Sequence, residues 1–201
     1  MRVKKTTVKP KKKCRELEEI PGRVFLDTNV LNFILHYGEQ IHDGAEPPTD
    51  TSDRVRDDID ALYNIFLTGR RASWQLAISP YTYSELIRTR AFAHRRQLTL
   101  WFEDLSASWI SIIHENDDLP SFIEGEDTRV HLLSSPAFNC LPDISDRALI
   151  CDAIVYRCEL FCTRDWSTIL KHRSKLKELP IEIVTPAEWW AKIRPHSALW
   201  M

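Results

Sequence analysis

Val24-Phe25-Leu26, followed at once by Asp27-Thr28-Asn29, constrains this chain more than any other stretch of it. An apolar run of that length reads as a short buried strand. The acid stands where the strand stops and a helix over 29–37 begins. In open α/β sheets, ligand sites lie just beyond the carboxyl ends of the strands. An acid in that place is poised to hold a cation. Three more acids occupy comparable places later in the sequence, and that recurrence argues for an enzyme.

The rest of the chain supports such a sheet. Periodicity predicts further strands over 76–78, 109–113, 160–162 and 181–184. Helices are expected over about 52–67, with Gly69 as its stop, and over 83–105, 146–156, 168–179 and 186–193. A polar loop is expected over 38–51, and 117–142 carries little pattern beyond a helical stretch around 128–133. Strands alternating with helices imply a mostly parallel central sheet in a three-layer α/β/α sandwich. Its 201 residues suit one elaborated domain over 21–195, between a basic tail over 1–20 and a short C-terminal tail over 196–201.

Charge narrows the choice of partner. Arg2, Lys4, Lys5, Lys9, Lys11, Lys12 and Lys13 crowd the first thirteen residues, ahead of the first acid. Without those seven, 20 basic residues face 29 acidic ones, a formal −9 for the body. The body is therefore no general polyanion binder, and nucleic-acid contact must use local patches or the tail. A solvated end is the simpler reading of the tail, and an RNA-binding arm the sharper one. No apolar run approaches membrane-spanning length, and no signal-like apolar region follows the N-terminus. A cytoplasmic protein with reduced cysteines is expected. The five cysteines form no CxxC pair, which argues against zinc.

The acids nearest the strand ends are Asp27, Glu85, Asp146 and Asp165. On parallel neighbouring strands they would converge on one sheet edge. Like charges gathered there raise one another's pKa values unless a cation neutralises them. Carboxylate oxygens without clustered His or Cys select a hard ion, Mg²⁺ or Mn²⁺. Each acid also has a structural reading: a helix cap for Asp27, helix-dipole partners for Glu85 and Asp146, a turn former for Asp165. Coincidence at four junctions is the weaker account.

Phe25-Leu26-Asp27-Thr28-Asn29-Val30-Leu31, Ser84-Glu85-Leu86, Asp146-Arg147-Ala148-Leu149-Ile150 with Ala153, and Thr163-Arg164-Asp165 together resemble the successive motifs of PIN-domain nucleases. The stretch from Ile181 to Glu188 is similar to that family's last strand and helix. The resemblance runs over roughly 22–194, and its order and spacing are more specific than any single motif. It implies Mg²⁺- or Mn²⁺-dependent cleavage of RNA, with Asp27, Glu85, Asp146 and Asp165 as metal ligands. Thr28, Asn29 and Thr163 match supporting polar positions. The family includes bacterial toxins, so an antitoxin partner is an open expectation.

Asp143 and Asp152 are rival carboxylates near the third position. Asp152 lies six residues beyond Asp146, about 240° round a helix, and is expected to face elsewhere, paired to Arg147 or Tyr156. Asp143 is left as a supporting residue. Arg88, Arg164 and Lys171 are candidate phosphate contacts, although solvated helix surfaces explain each one more simply. Trp189 and Trp190 suit an amphipathic closing helix or a homodimer contact better than base stacking. A haloacid-dehalogenase-like phosphatase needs a second Asp where Asn29 stands. The competing reading of another kind is a PIN-like RNA-binding or scaffold protein without catalysis.

Overall fold

The computed structural model describes residues 20–69, 72, 74–79, 82 and 96–199. Strands β1 (Arg23–Leu26), β2 (Gln75–Ala77), β3 (Leu160–Cys162) and β4 (Glu182–Val184) form an all-parallel sheet in the order β2-β1-β3-β4. Val24, Phe25, Leu26, Phe161 and Cys162 are fully buried, as helices packed around a parallel sheet require. Phe25 and Phe161 stack across the central pair with ring centroids 5.5 Å apart. The architecture is α/β, with helices flanking the sheet.

Apolar spacing accounts for most of the helices. Helix α1 (Thr28–His36) buries Val30, Leu31, Phe33, Ile34 and Leu35. Helix α2 (Gly38–Asp43) begins immediately afterwards, so the expected loop over 38–51 starts as a helical turn anchored by buried Ile41. Helix α3 (Asp53–Gly69) buries Ile59, Leu62 and Ile65 and continues two residues past the expected end. Helix α4 (Arg96–Glu115) absorbs the segment 109–113 that reads as a strand. Buried Phe102, Trp109 and Ile113 recur at intervals of seven and four, which is helical period, and Trp109 meets Tyr156 edge-on at 5.5 Å. Helix α5 (Phe122–Leu133) starts with a reciprocal Ser121–Glu124 capping box and is longer than its weak pattern suggests.

Helix α6 (Ile144–Val155) lies against α5. Gly125 permits that approach, since a Cβ there would sit 3.1 Å from Val155 Cγ1. The expected basic helix over 168–179 is broken into the single turn α7 (Ile169–His172) and a 3-10 turn (Arg173–Lys175). Helix α8 (Pro186–Ile193) has a Thr185–Glu188 capping box and buries Trp189 completely. A further 3-10 stretch, Arg194–Leu199, runs across the expected boundary of the C-terminal tail. No described helix is long and apolar enough to cross a membrane.

The strand order fixes where a site can form. From β1 the chain passes to β2 on one side, and from β3 it passes to β4 on the other. The connections leaving β1 and β3 therefore diverge and open a crevice beyond the carboxyl ends of those two strands. Asp27 follows β1 directly, and Thr163-Arg164-Asp165 follows β3.

Candidate functional site

Asp27 occupies the N-cap position of α1, yet its side chain makes no capping bond. The carboxylate instead faces the crevice while only 2 % of the residue is exposed. Thr163 donates its hydroxyl hydrogen to Asp27 Oδ2 at 2.5 Å, and Asn29 Nδ2 donates to the same oxygen at 3.2 Å. The Thr163 hydroxyl in turn accepts from the Asp165 backbone N–H at 3.0 Å. A chain of bonds thus links β1 to β3 across the crevice. Burial pushes the Asp27 carboxyl up to about 6, against the lowering effect of Thr163 and Asn29, with Asp146 and Asp165 adding like-charge repulsion.

Asp165 is held differently. Its Oδ1 accepts from the Ser167 N–H at 2.9 Å, the Ser167 hydroxyl at 2.6 Å and the Thr168 N–H at 3.0 Å, which closes a tight turn. Burial raises its pKa, but these bonds prevail and hold it below the usual carboxylate range. Its other oxygen, Oδ2, contacts the Thr168 hydroxyl, which also lies 2.9 Å from Asp146 Oδ2. A hydroxyl has one hydrogen to donate. Placed between two carboxylates, Thr168 can donate to one of them at a time. Asp146 reaches the crevice from the first turn of α6, which no strand directly precedes.

Asp27, Asn29, Asp146 and Asp152 border one cleft of about 550 Å³, together with Ser79 and Arg129. Asp152 therefore does not face away from Asp146. A cleft this wide takes side chains from both flanks of α6, even where a single ion could not. Its partners are also other than expected: Ser79 donates to Asp152 Oδ2 at 2.7 Å, and Arg129 Nε lies 3.7 Å from Oδ1. Arg147 bonds the Leu141 carbonyl instead. Burial raises the Asp152 carboxyl to about 6, opposed by Ser79 and Arg129. The sequence signal for Asp152 is a lone acid within Leu149-Ile150-Cys151-Asp152-Ala153-Ile154-Val155, since a buried charge requires partners.

The remaining candidates divide. Asp143, expected to support the site, caps α6 at the cleft rim by accepting from the Ser145 N–H at 2.8 Å. The Thr28 hydroxyl lies 3.4 Å from that of buried Thr82. Arg164 turns inward to Asp58 at 2.8 Å and stacks over the Phe33 ring at 3.6 Å, which removes its guanidinium from phosphate contact. Lys171 is exposed. Glu85 and Arg88 lie outside the described residues, as do the tail over 1–19 and residues 83–95 of the expected long helix.

Asp146 and Asp165 lie within Coulombic reach of Asp27, and Thr168 bonds between the first two. Among the described residues, no three His, Cys, Asp or Glu side chains form a group that could hold a metal ion. Replacing Thr163 with Val should reveal how much its hydroxyl contributes to holding Asp27 and the turn after β3 together. Metal-free stability in urea should fall by about 1–3 kcal/mol at pH 8, because Asp27 and the Asp165 N–H both lose a partner. The fall should be smaller at pH 5, where Asp27 keeps its proton. An equal loss at both pH values would assign Thr163 a packing role alone.

No protein-family model matches this sequence, and neither a search of curated proteins nor one of solved structures gives a similar protein.

Proposed function

We propose that this chain is a PIN-like, Mg²⁺- or Mn²⁺-dependent endoribonuclease. The observation that carries the reading is Asp27: a buried carboxylate at a helix N-cap that caps nothing, oriented instead by Thr163 and Asn29 toward Asp146 and Asp165. A group needed for the fold alone would bond the free N–H groups of α1. Asp27, Asp146 and Asp165 would hold the cation, with Glu85 as the fourth ligand that the family resemblance supplies. The chemistry that a divalent ion held there would supply is a lowered pKa for water and an offset to charge building on a phosphodiester. The protein's own part is to fix the carboxylates: Thr163 and Asn29 set Asp27, the 165–168 turn sets Asp165, and Thr168 spans Asp165 and Asp146.

The test is cleavage of a mixed RNA substrate by the purified protein in Mn²⁺ or Mg²⁺, with loss of cleavage in EDTA. Asp165→Asn should suppress cleavage and shrink the rise in melting temperature that Mn²⁺ produces, since that rise measures binding to the folded state. The Mn²⁺ effect should also grow as pH passes upward through about 6, where Asp27 gives up its proton to become a ligand. A second reading, an RNA-binding or scaffold module without catalysis, draws on the lack of a three-acid metal group among the described residues. It predicts no Mn²⁺-dependent melting shift at any pH, and cleavage that survives EDTA would count against both.

A further inference from the structure

Trp166 follows Asp165 directly and is 45 % exposed, although an indole is among the costliest side chains to leave in water. Its position is fixed rather than incidental. The Trp166 N–H donates to the Arg164 carbonyl at 3.0 Å, and the Asp165 turn closes around it through Ser167 and Thr168. The guanidinium carbon of Arg54, in the first turn of α3, lies 4.3 Å from the indole ring centroid. One turn further along α3, Asp58 holds Arg164 at 2.8 Å, which locks the loop after β3 onto this helix. Arg56, by contrast, is occupied with the carbonyls of Pro48, Thr49 and Thr51.

The placement relative to the carboxylates gives this pair its meaning. Asp146, Asp152 and Arg129 line the cleft beside α5 and α6, Trp166 packs against Arg54 of α3, and Asp165, its neighbour in the chain, is joined to Asp146 through Thr168. We infer that Trp166, backed by Arg54, is a stacking platform for one base of a single-stranded RNA, beside the phosphate that a cation among the carboxylates would hold. This rests on the ribonuclease reading and specifies how its substrate is seated. With Arg54 against one part of the ring, the exposed remainder offers a base a flat apolar surface, and the guanidinium adds positive charge for the adjoining phosphate. Stacking accepts every base, so the platform selects unpaired strands rather than a sequence. In a body that is acidic overall, one aromatic–cation pair next to the reacting centre supplies attraction that net charge cannot.

The experiment measures binding and cleavage separately in the full-length protein. Binding is read by fluorescence anisotropy in EDTA, using a labelled single-stranded RNA of roughly ten nucleotides and the same oligonucleotide with abasic sites. Trp166→Ala should weaken binding of the base-bearing RNA by roughly 5- to 150-fold, the equivalent of one stacked base. Trp166→Phe should stay within about threefold of the parent, because a phenyl ring also stacks. Abasic RNA should bind the parent about as weakly as base-bearing RNA binds Trp166→Ala. In cleavage assays with Mn²⁺, Trp166→Ala should raise KM and leave kcat within about twofold, as expected for lost ground-state binding. An unchanged melting temperature shows that the variant is folded; if Trp166→Ala melts lower, the Phe variant and the abasic RNA carry the comparison. Equal affinities for parent and Trp166→Ala, or a loss that is the same with abasic RNA, overturn the platform. Base-dependent binding through Trp166 without metal-dependent cleavage keeps the platform and rejects the nuclease. Cleavage with no Trp166 effect does the reverse.

Discussion

Replacing Asp27 with Asn should make the metal-free protein more stable and the proposed nuclease activity vanish. The carboxyl is raised from 3.8 to about 6 in the fold, so the native state holds its proton more tightly than the unfolded chain does. Below about pH 4 both states are protonated and the native state carries no penalty. As pH rises toward 6 the unfolded chain ionises first, and folding loses free energy. Above about pH 6 the native state must hold a buried anion, and the full penalty of about 3 kcal/mol is present. The amide introduced by Asp27→Asn never ionises, and its oxygen can still accept from Thr163. Urea unfolding should therefore show a gain approaching about 3 kcal/mol at pH 8 and close to none at pH 4. Metal-dependent RNA cleavage should drop by at least about 100-fold, since groups that merely orient metal ligands are worth about 10- to 100-fold. A variant that is less stable at pH 8 and still cuts RNA would make Asp27 a structural residue.

Arg164→Ala should be the most damaging single change on the other side of the crevice. Asp58 is 2 % exposed, and burial raises its pKa despite the hydrogen bond and charge of Arg164. Removing the arginine strands a buried carboxylate and strips a stacked cation from Phe33. Losing one partner of a buried pair costs about 3–5 kcal/mol. The Asp58 pKa should rise further without its partner, so the fold should bind a proton there more tightly. Stability then falls as pH rises, and the loss measured at pH 8 should exceed the loss at pH 5. Pairing Arg164→Met with Asp58→Asn should recover most of it, because no buried charge is left unpaired. A loss of less than about 1 kcal/mol for Arg164→Ala, by chemical denaturation, would place the arginine at the surface in solution.

Asp27 and Arg164 also mark the limits of what a sequence conveys. β1, β3 and α8 are readable because buried parallel strands are continuous apolar runs, and because Thr185 and Glu188 form a local cap. Asp27 is readable for the same reason: it interrupts such a run at its end. The segment 109–113 reads as a strand because five residues rich in Ile and Trp fit either period, and only Phe102 seven residues earlier settles it as helix. Asp152 and Arg164 escape a local reading for a different reason. Their roles depend on Ser79, Arg129 and Asp58, and partners 73 and 106 residues away leave no local pattern. Arg164 stands beside a candidate metal ligand in the sequence and looks like a phosphate contact, yet tertiary burial turns it into a brace.

The bond between Thr163 and Asp27 spans 136 residues of chain, and it has a bearing on when this protein can act. A ribosome presents Asp27 early, with α1 to follow it, but β1 has no β3 to pair with until most of the sequence has emerged. Asp146, Thr163, Asp165 and Trp166 all belong to the later part of the chain. Non-local pairings of this kind form after the local helices, and slowly. A nascent or truncated chain thus carries the first acid of the crevice with only Asn29 to orient it. On the ribonuclease reading proposed above, a nascent chain is made on RNA that it cannot yet cut, because the crevice is complete only once β3 and the turn after it have emerged and paired with β1.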